Sequence, residues 1–401
     1  MPRVCTRSVL PVLSLFAIGL LVFSGCGPRS ADVKPSSAIP SRTEISATSG
    51  TKEAPAALSA QDNAQEAYQD GSRFETDKKY ADAAASFGQA VTLDPAFTDA
   101  YARLGFVQIE LRNYPEAVSA FKKQAETSPQ VPDKMASAHS NLGYAYGLSG
   151  NLDQAISEYV KVVELTPNNS DAFATLASNY AEKGLVAEAV NAYQRALELQ
   201  PGNRETMRAL GMLCRDNNLL VEATHVYGRL YALDNSDPQA LRSLAWLYLK
   251  LESYPRAIDM YRRLFAIGQG SVSERLNLAT AYEKNSQPDS AIVEYERMIQ
   301  AQPENTQFYC SLAFLYADSK KAAQAIEIAK KGLDIKPNDA CLNCAWGTAL
   351  EKMSDYEGAI GKFELAAGDM QWGEFAKKQI EKEQKLIKRK GALKEKEELG
   401  Y

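Results

Sequence analysis

The sequence contains few side chains of the types that usually perform chemistry. It has only two histidines, His139 and His225, and six cysteines. Cys341 and Cys344 form a CxxC pair, a spacing that in other proteins supports disulfide exchange or metal binding. A thioredoxin-like pair follows a β-strand, whereas these two residues lie in a segment that predicts a helix. A metal site would need further ligands, and both histidines are far away in the sequence.

Other catalytic patterns are also missing from the sequence. It contains no GxGxxG motif and no P-loop, and two helical histidines do not make a triad. The carboxylates are numerous but scattered, as solvated surface charges usually are. We therefore predict that the protein is not an enzyme and has no catalytic residue, no metal and no cofactor.

A ladder of alanines indicates which elements would position a functional group. Its nine members are Ala83, Ala117, Ala155, Ala189, Ala223, Ala257, Ala291, Ala325 and Ala359. Seven of the eight intervals are 34 residues long, and the interval from Ala117 to Ala155 is 38. A fixed period of this size predicts an array of stacked units whose function resides on its surfaces.

Further residues keep step with the alanines. Glycine or alanine stands twelve residues before each alanine, and leucine precedes that small residue in seven copies. An aromatic residue follows four residues after the alanine in eight copies, with Ala329 as the exception. Proline follows twelve residues after the alanine in six copies. This pattern resembles the tetratricopeptide repeat (TPR) over roughly residues 64–373.

The resemblance implies an all-α fold, a TPR solenoid built as a right-handed superhelix of about nine helical hairpins. The expected units within 63–373 are 64–97, 98–131, 136–169, 170–203, 204–237, 238–271, 272–305, 306–339 and 340–373. Residues 374–401 are expected to form a capping helix and a charged tail. Pro132 suits a first helical position, so the third unit is expected to begin one turn early. The small residues let the paired helices approach, and the aromatic residue is expected to fill the wedge between hairpins.

The resemblance also places the ligand surface on a concave groove, lined by positions 2, 5, 9 and 12 of each unit. The groove residues singled out on this basis are Phe106, Tyr144, Arg208, Met212, Arg215, Arg242, Trp246 and Phe314. Aromatic and arginine side chains together are typical of binding hot spots. The alternative is that the ninth residues only pack against the next repeat. The two-carboxylate clamp of the family's chaperone-tail receptors is not reproduced, because its lysines are missing.

The cysteines of the last two units leave two alternatives open. Cys310 and Cys344 occupy equivalent positions in adjacent repeats, and Cys341 lies three residues before Cys344. An oxidising compartment would allow a disulfide among these three residues. Free buried thiols are the alternative.

The N-terminus predicts export. Arg3 and Arg7 precede a short apolar run, 9–23, which is followed by small residues and Cys26, as in a signal peptide. The sequence around Cys26 resembles the bacterial lipobox, although Phe23 replaces the usual leucine. The resemblance implies cleavage of residues 1–25 and lipidation of Cys26. An uncleaved anchor and plain secretion are the alternatives. The composition of 26–62 predicts a flexible tether that follows the lipidated cysteine.

Charge helps to select the class of partner. The formal net charge is -5, and the array is more acidic than the whole chain, which argues against a general nucleic-acid binder. The lysine-rich tail is either a solvated helix face or a contact for anionic groups. We therefore predict a membrane-tethered scaffold or adaptor in the bacterial cell envelope, at the periplasmic face of the outer membrane, that binds a protein segment in its groove. Relatives of this layout suggest a pilotin-like or cell-wall enzyme adaptor. The alternative is a glycan-binding or peptidoglycan-binding accessory protein, or a non-catalytic part of an envelope enzyme system.

Overall fold

The computed structural model describes residues 59–398. The proposed signal peptide, Cys26 and almost all of the 26–62 linker therefore lie outside the described residues, as do residues 399–401. Within the described range the chain forms nineteen α-helices and no strand. None of these helices combines the length and the apolar character that a membrane-crossing segment requires.

Eighteen of the helices form nine successive hairpins, each with a first and a second helix. The first four hairpins are α1 (Ala60–Thr76) with α2 (Tyr80–Leu93), α3 (Thr98–Glu110) with α4 (Tyr114–Thr127), α5 (Pro132–Leu148) with α6 (Leu152–Leu165), and α7 (Ser170–Glu182) with α8 (Val186–Leu199). The other five are α9 (Arg204–Asp216) with α10 (Leu220–Leu233), α11 (Pro238–Lys250) with α12 (Tyr254–Ala266), α13 (Val272–Lys284) with α14 (Pro288–Ala301), α15 (Thr306–Asp318) with α16 (Ala322–Ile335), and α17 (Ala340–Lys352) with α18 (Tyr356–Ala366). These hairpins are called repeats 1 to 9 below. As expected from Pro132, the four additional residues of the long interval extend α5 by one turn.

The turn inside each hairpin has the same backbone conformation in all nine repeats. Its central residue has a positive φ, between 56° and 80°. The residues at this position are Lys78, Arg112, Gly150, Gly184, Asn218, Glu252, Ser286, Lys320 and Ser354. The residue after it then donates a backbone hydrogen bond to the last turn of the first helix. In repeat 1, the N–H of Lys79 donates to the carbonyl of Phe74 at 2.8 Å. This conformation suits glycine, yet seven repeats hold a larger residue there.

Packing inside a hairpin depends on the small residue of the first helix. A Cβ atom added to Gly211 would lie 2.8 Å from the ring of Tyr227, which is fully buried. Gly71, Gly105 and Gly347 face the aromatic ring of their own second helix in the same way. The aromatic residue therefore packs across its own hairpin against the glycine. It also lies in one core cluster with residues of the next hairpin, as Phe121 does with Leu142 and Tyr159 with Leu176, which agrees with the expected position between hairpins.

The stacking of hairpins brings the first helices onto the inner side of the curve. First helices of successive repeats contact each other, as α3 does with α5, α7 with α9, α11 with α13 and α15 with α17. Successive second helices are not in comparable contact among the residues described. Most first helices begin at a polar residue whose side chain accepts a backbone N–H, namely Ser59, Asn169, Asn203, Asp237, Ser271, Asn305 and Asp339.

The last helix, α19 (Gly373–Glu398), packs on α18 and ends the stack. Its buried face includes Ala376, Ile380 and Glu383, whereas many of its other side chains are exposed and charged. No second helix follows it in the described range. Terminal units of repeat arrays carry a polar outer face, and the polar uncovered face of α19 is consistent with the expected capping helix.

Candidate functional site

The inner surface keeps large apolar side chains in contact with solvent. Tyr144 is 37 % exposed and Met212 is 40 % exposed, although each directly follows a glycine that packs inside the hairpin. One residue along a helix turns the side chain by about 100°, so these residues face away from their second helices. Single exposed apolar residues are common, but these two recur at the same position of first helices that line one surface.

Repeats 6 and 7 continue this surface. Trp246 is half-buried against the core of the central repeats, and the Lys250 ammonium lies 5.5 Å from its ring centroid. Leu276, at position 5 of repeat 7, is 38 % exposed. Leu276 was not among the predicted groove residues, although Arg208 and Arg242 were predicted at the same position of the two preceding repeats. The sequence contained an indication of this residue, because Leu276 is a large apolar side chain at a position that lines the groove.

The groove arginines connect neighbouring repeats. Arg208 donates to Asp237 at 2.5 Å, and Asp237 also caps α11 through the N–H of Ala240 at 2.8 Å. Burial of Asp237 favours its neutral form, but the Ala240 N–H and Arg208 outweigh burial and lower the pKa of this carboxyl. Arg208 thus links α9 to the start of α11, with part of its side chain still accessible.

Arg242 repeats the same arrangement one unit later. It donates to Glu274 at 2.7 Å and to the carbonyl of Gln269 at 3.0 Å. Glu274 belongs to the capping box of α13 with Ser271. Its pKa is lowered, since the hydrogen bonds from Ser271 and Arg242 outweigh the effect of burial. Arg215 pairs with its neighbour Asp216 at 2.8 Å. All three arginines therefore have carboxylate partners, and their first role is structural.

Two of the expected groove residues are packing residues. Phe106 contacts the ring of Phe121 edge-on at 5.2 Å and lies against the core of repeats 2 and 3. Phe314 stacks on Trp372 at 5.5 Å and meets the edge of Phe375. The segment that leads into α19 thus covers this end of the inner surface. Phe106, Trp246 and Phe314 are all half-buried against the core, so Tyr144 and Met212 are the most exposed of the predicted apolar groove residues.

The cysteines are arranged differently from a redox CxxC motif. Cys310 and Cys341 form a disulfide between α15 and α17, with Cα atoms 5.9 Å apart. Cys344 is a buried thiol, and burial raises its pKa to about 12. Cys214 is also buried, and its pKa is raised to about 11 for the same reason. Neither thiol has the low pKa that disulfide exchange needs, and the described residues contain no cluster of metal ligands.

His139 has a structural partner. Its Nδ1 lies 2.6 Å from a carboxylate oxygen of Glu158, and Lys161 donates to the other oxygen at 2.9 Å. Glu158 is a buried residue of α6. The histidine therefore contacts a buried carboxylate across the hairpin of repeat 3 and does not belong to a nucleophile and base arrangement in the described structure.

Comparison with known families agrees with this architecture. Models of the tetratricopeptide repeat match residues 76–142, 136–169, 174–238 and 276–340. The chain belongs to the tetratricopeptide repeat family. No curated protein is significantly similar to the sequence.

Several solved structures are similar to parts of this chain. The C-terminal part of a TPR repeat-containing protein from Cytophaga hutchinsonii is 15 % identical over 60 % of this chain and 97 % of its own, with a TM-score of 0.52. A tetratricopeptide repeat protein from Parabacteroides merdae is 20 % identical over 62 % of this chain and 98 % of its own, with a TM-score of 0.39. The MamA protein is 22 % identical over 43 % and 94 %, with a TM-score of 0.38. At these identities the likeness concerns the fold alone.

Proposed function

We propose that this TPR protein is a membrane-tethered scaffold of a bacterial envelope that binds a segment of a protein partner on its inner surface. The observation that carries the proposal is the exposure of Tyr144 and Met212, at the same position of two first helices that line the inner surface. TPR arrays are in general non-catalytic scaffolds for protein partners. The described residues of this chain accordingly offer an interaction surface, and the proposal includes no catalytic step.

The chemistry of the inner surface favours a partner segment with an apolar anchor. Met212 and Leu276 are flexible and exposed, and Trp246 adds a rigid half-buried ring between them in sequence. Side chains of this kind contribute most of their binding energy when an apolar partner excludes water from them. Arg208 and Arg242 retain accessible surface beside these residues. They would form a polar rim while their carboxylate partners hold them in place.

The tether is the second part of the proposal. The basic start, the short apolar run 9–23 and Cys26 support export and lipidation. Two or three acyl chains would hold the array firmly at a membrane, and the periplasmic face of the outer membrane fits a lipoprotein with Gly27 after the cysteine. A Cys26→Ser variant is expected to appear in the soluble fraction of the producing bacterium. Unchanged membrane fractionation of that variant would contradict lipidation at Cys26.

A charge placed on the inner surface tests the binding proposal directly. Met212→Glu is compared with Val221→Glu, which introduces the same charge at an exposed residue on the second helix of the same repeat. Partners are captured by crosslinking in cells and identified by mass spectrometry. We expect the Met212 variant to lose partners that the Val221 variant retains. Equal recovery with both variants would refute the inner surface as the binding site, and capture of glycan strands without a protein would favour the accessory alternative.

A further inference from the structure

A second surface of the array carries an arrangement that the scaffold function does not use. A cleft of about 460 Å³ opens between α12 and α14, with α13 at its base. The residues that line it are Arg262, Phe265, Arg275, Leu278, Tyr282, Ser290, Glu294 and Arg297. An adjoining cleft of about 580 Å³ shares Arg262, Tyr282 and Ser290. It adds Pro255 and Ile258 beside polar residues that include Asp289, whose carboxylate pairs with Lys321. Second helices form its sides, so it is separate from the inner surface.

The cleft has an excess of positive charge. Its three guanidinium groups meet a single carboxylate, Glu294, whose side chain is only 7 % exposed. One carboxylate oxygen of Glu294 accepts a hydrogen bond from Arg275. The other oxygen accepts from Arg297, with 2.6 Å between the guanidinium nitrogen and the oxygen. Arg262 has no carboxylate within 4.0 Å among the described residues, although its side chain lines both clefts. The lining therefore carries a formal excess of about two positive charges.

Two of the arginines are held in fixed positions. Arg275 lies over the ring of Phe265 at 4.2 Å while Glu294 holds its guanidinium from another side. A cation fixed between a ring and a buried carboxylate loses less freedom when it binds a ligand. Each guanidinium has five N–H donors, so Arg275 and Arg297 keep donors that Glu294 does not use.

The same arrangement occurs once more in the array, with weaker donors. At the junction of repeats 2 and 3, the equivalent residues are Lys122, His139, Tyr146, Glu158 and Lys161. At the junction of repeats 6 and 7 every base of this set is arginine. Arginine binds oxyanions in a bidentate manner, whereas lysine and histidine do not.

We propose that the cleft between repeats 6 and 7 binds a phosphate monoester. A phosphate monoester carries about −1.5 to −2 charges near neutral pH, which matches the excess charge of the lining. Arg262 supplies the unpaired guanidinium, Arg275 and Arg297 supply the fixed ones, and the hydroxyl groups of Ser290 and Tyr282 complete the donor set. The adjoining cleft, with Pro255 and Ile258, receives the organic part of the ester.

The binding experiment uses phenyl phosphate, inorganic phosphate and phenol as probes in isothermal titration of the purified full-length protein at low salt. We expect phenyl phosphate to bind more tightly than inorganic phosphate, because it occupies both clefts, and phenol not to bind. The Arg262→Ala variant loses charge-assisted hydrogen bonds, so its affinity for phenyl phosphate should fall about tenfold or more. Absence of phenyl phosphate binding at millimolar concentration would overturn the proposal.

The next residue along the helix provides a matched control. Arg263 pairs with Asp259 at 2.9 Å and does not line the cleft. Arg263→Ala removes the same charge from the same helix, so it should leave the affinity for phenyl phosphate unchanged. Thermal unfolding of both variants shows whether they are folded. An equal loss of affinity in the two folded variants would mean that net charge alone attracts the anion, and would refute the site.

Discussion

The turn inside each hairpin allows a stringent test of how the repeat is built. Glu252 has a φ of 56° at the position where Gly184 has a φ of 80°. A residue with a side chain costs about 1–2 kcal/mol in this region, whereas glycine costs about 0.4–1 kcal/mol through the greater entropy of its unfolded chain. Glu252→Gly should therefore raise the free energy of unfolding by about 0.5–1 kcal/mol, the difference between these two terms.

The reverse substitution should have the opposite sign. Gly184→Ala should lower the free energy of unfolding by a similar amount, and no atom lies within 4 Å of the added Cβ, so sterics do not contribute. Gly228→Ala is the matched control, because Gly228 lies inside α10 and its added Cβ also meets nothing within 4 Å. In a helix interior alanine is favoured over glycine by about 0.5–1 kcal/mol, so this variant should be stabilised.

Urea unfolding of the four proteins, followed by far-ultraviolet circular dichroism, measures these differences. The predicted order of unfolding midpoints places Glu252→Gly and Gly228→Ala above the unchanged protein and Gly184→Ala below it. A destabilised Glu252→Gly would show that the Glu252 side chain contributes more than its backbone conformation costs. A Gly184→Ala variant as stable as the unchanged protein would refute the conformational explanation altogether.

Two further predictions concern the C-terminal repeats. The Cys310–Cys341 disulfide closes a loop with a sequence separation of 31. Its removal in the double variant Cys310→Ala, Cys341→Ala should therefore lower the free energy of unfolding by up to about 3–4 kcal/mol. Thiol alkylation of the unfolded, unreduced protein should label Cys344 but not Cys310 or Cys341, and labelling of all three cysteines would contradict the pairing. Glu383 is fully buried without a hydrogen-bond partner, and burial together with the nearby Glu351 raises the pKa of its carboxyl group. Because a raised carboxyl pKa makes the folded state lose stability as the pH rises through that pKa, Glu383→Gln should be more stable than the unchanged protein at pH 7. This gain in stability should disappear as the pH falls towards the unfolded pKa near 4.5, and a gain independent of pH would contradict the prediction.

Most of the fold followed from the sequence because the repeat period imposes the same local solution nine times. Alanine ladders, aromatic spacing and Pro132 were enough to predict the hairpins and the early start of α5. The turn geometry was visible only at Gly150 and Gly184, since the other seven turns hold residues that do not signal a positive φ. The aromatic position was recognised, but its contact with the glycine of the same hairpin was not.

The candidate site was predicted less completely. Periodicity placed Tyr144, Met212 and Trp246 on first helices, and the exposure of Tyr144 and Met212 supports a role on the inner surface. Phe314 occupied the same position in the period, but Trp372 lies against it in the folded chain. A period describes the contacts that repeats share, and it contains no information about a segment outside the repeats that covers one of them.

The sequence by itself determined the class of the protein, an array of helical hairpins of the tetratricopeptide repeat family. Only the tertiary structure decided which polar groups are paired. Arg208 and Arg242 pair with the capping carboxylates Asp237 and Glu274 of the next repeats, whereas Arg262 lines a cleft and has no carboxylate within 4.0 Å in the described part of the chain. The physical reason is distance. Helical spacing determines which residues are neighbours within one hairpin. Whether charged side chains on successive hairpins come within ion-pair distance depends on how the hairpins stack.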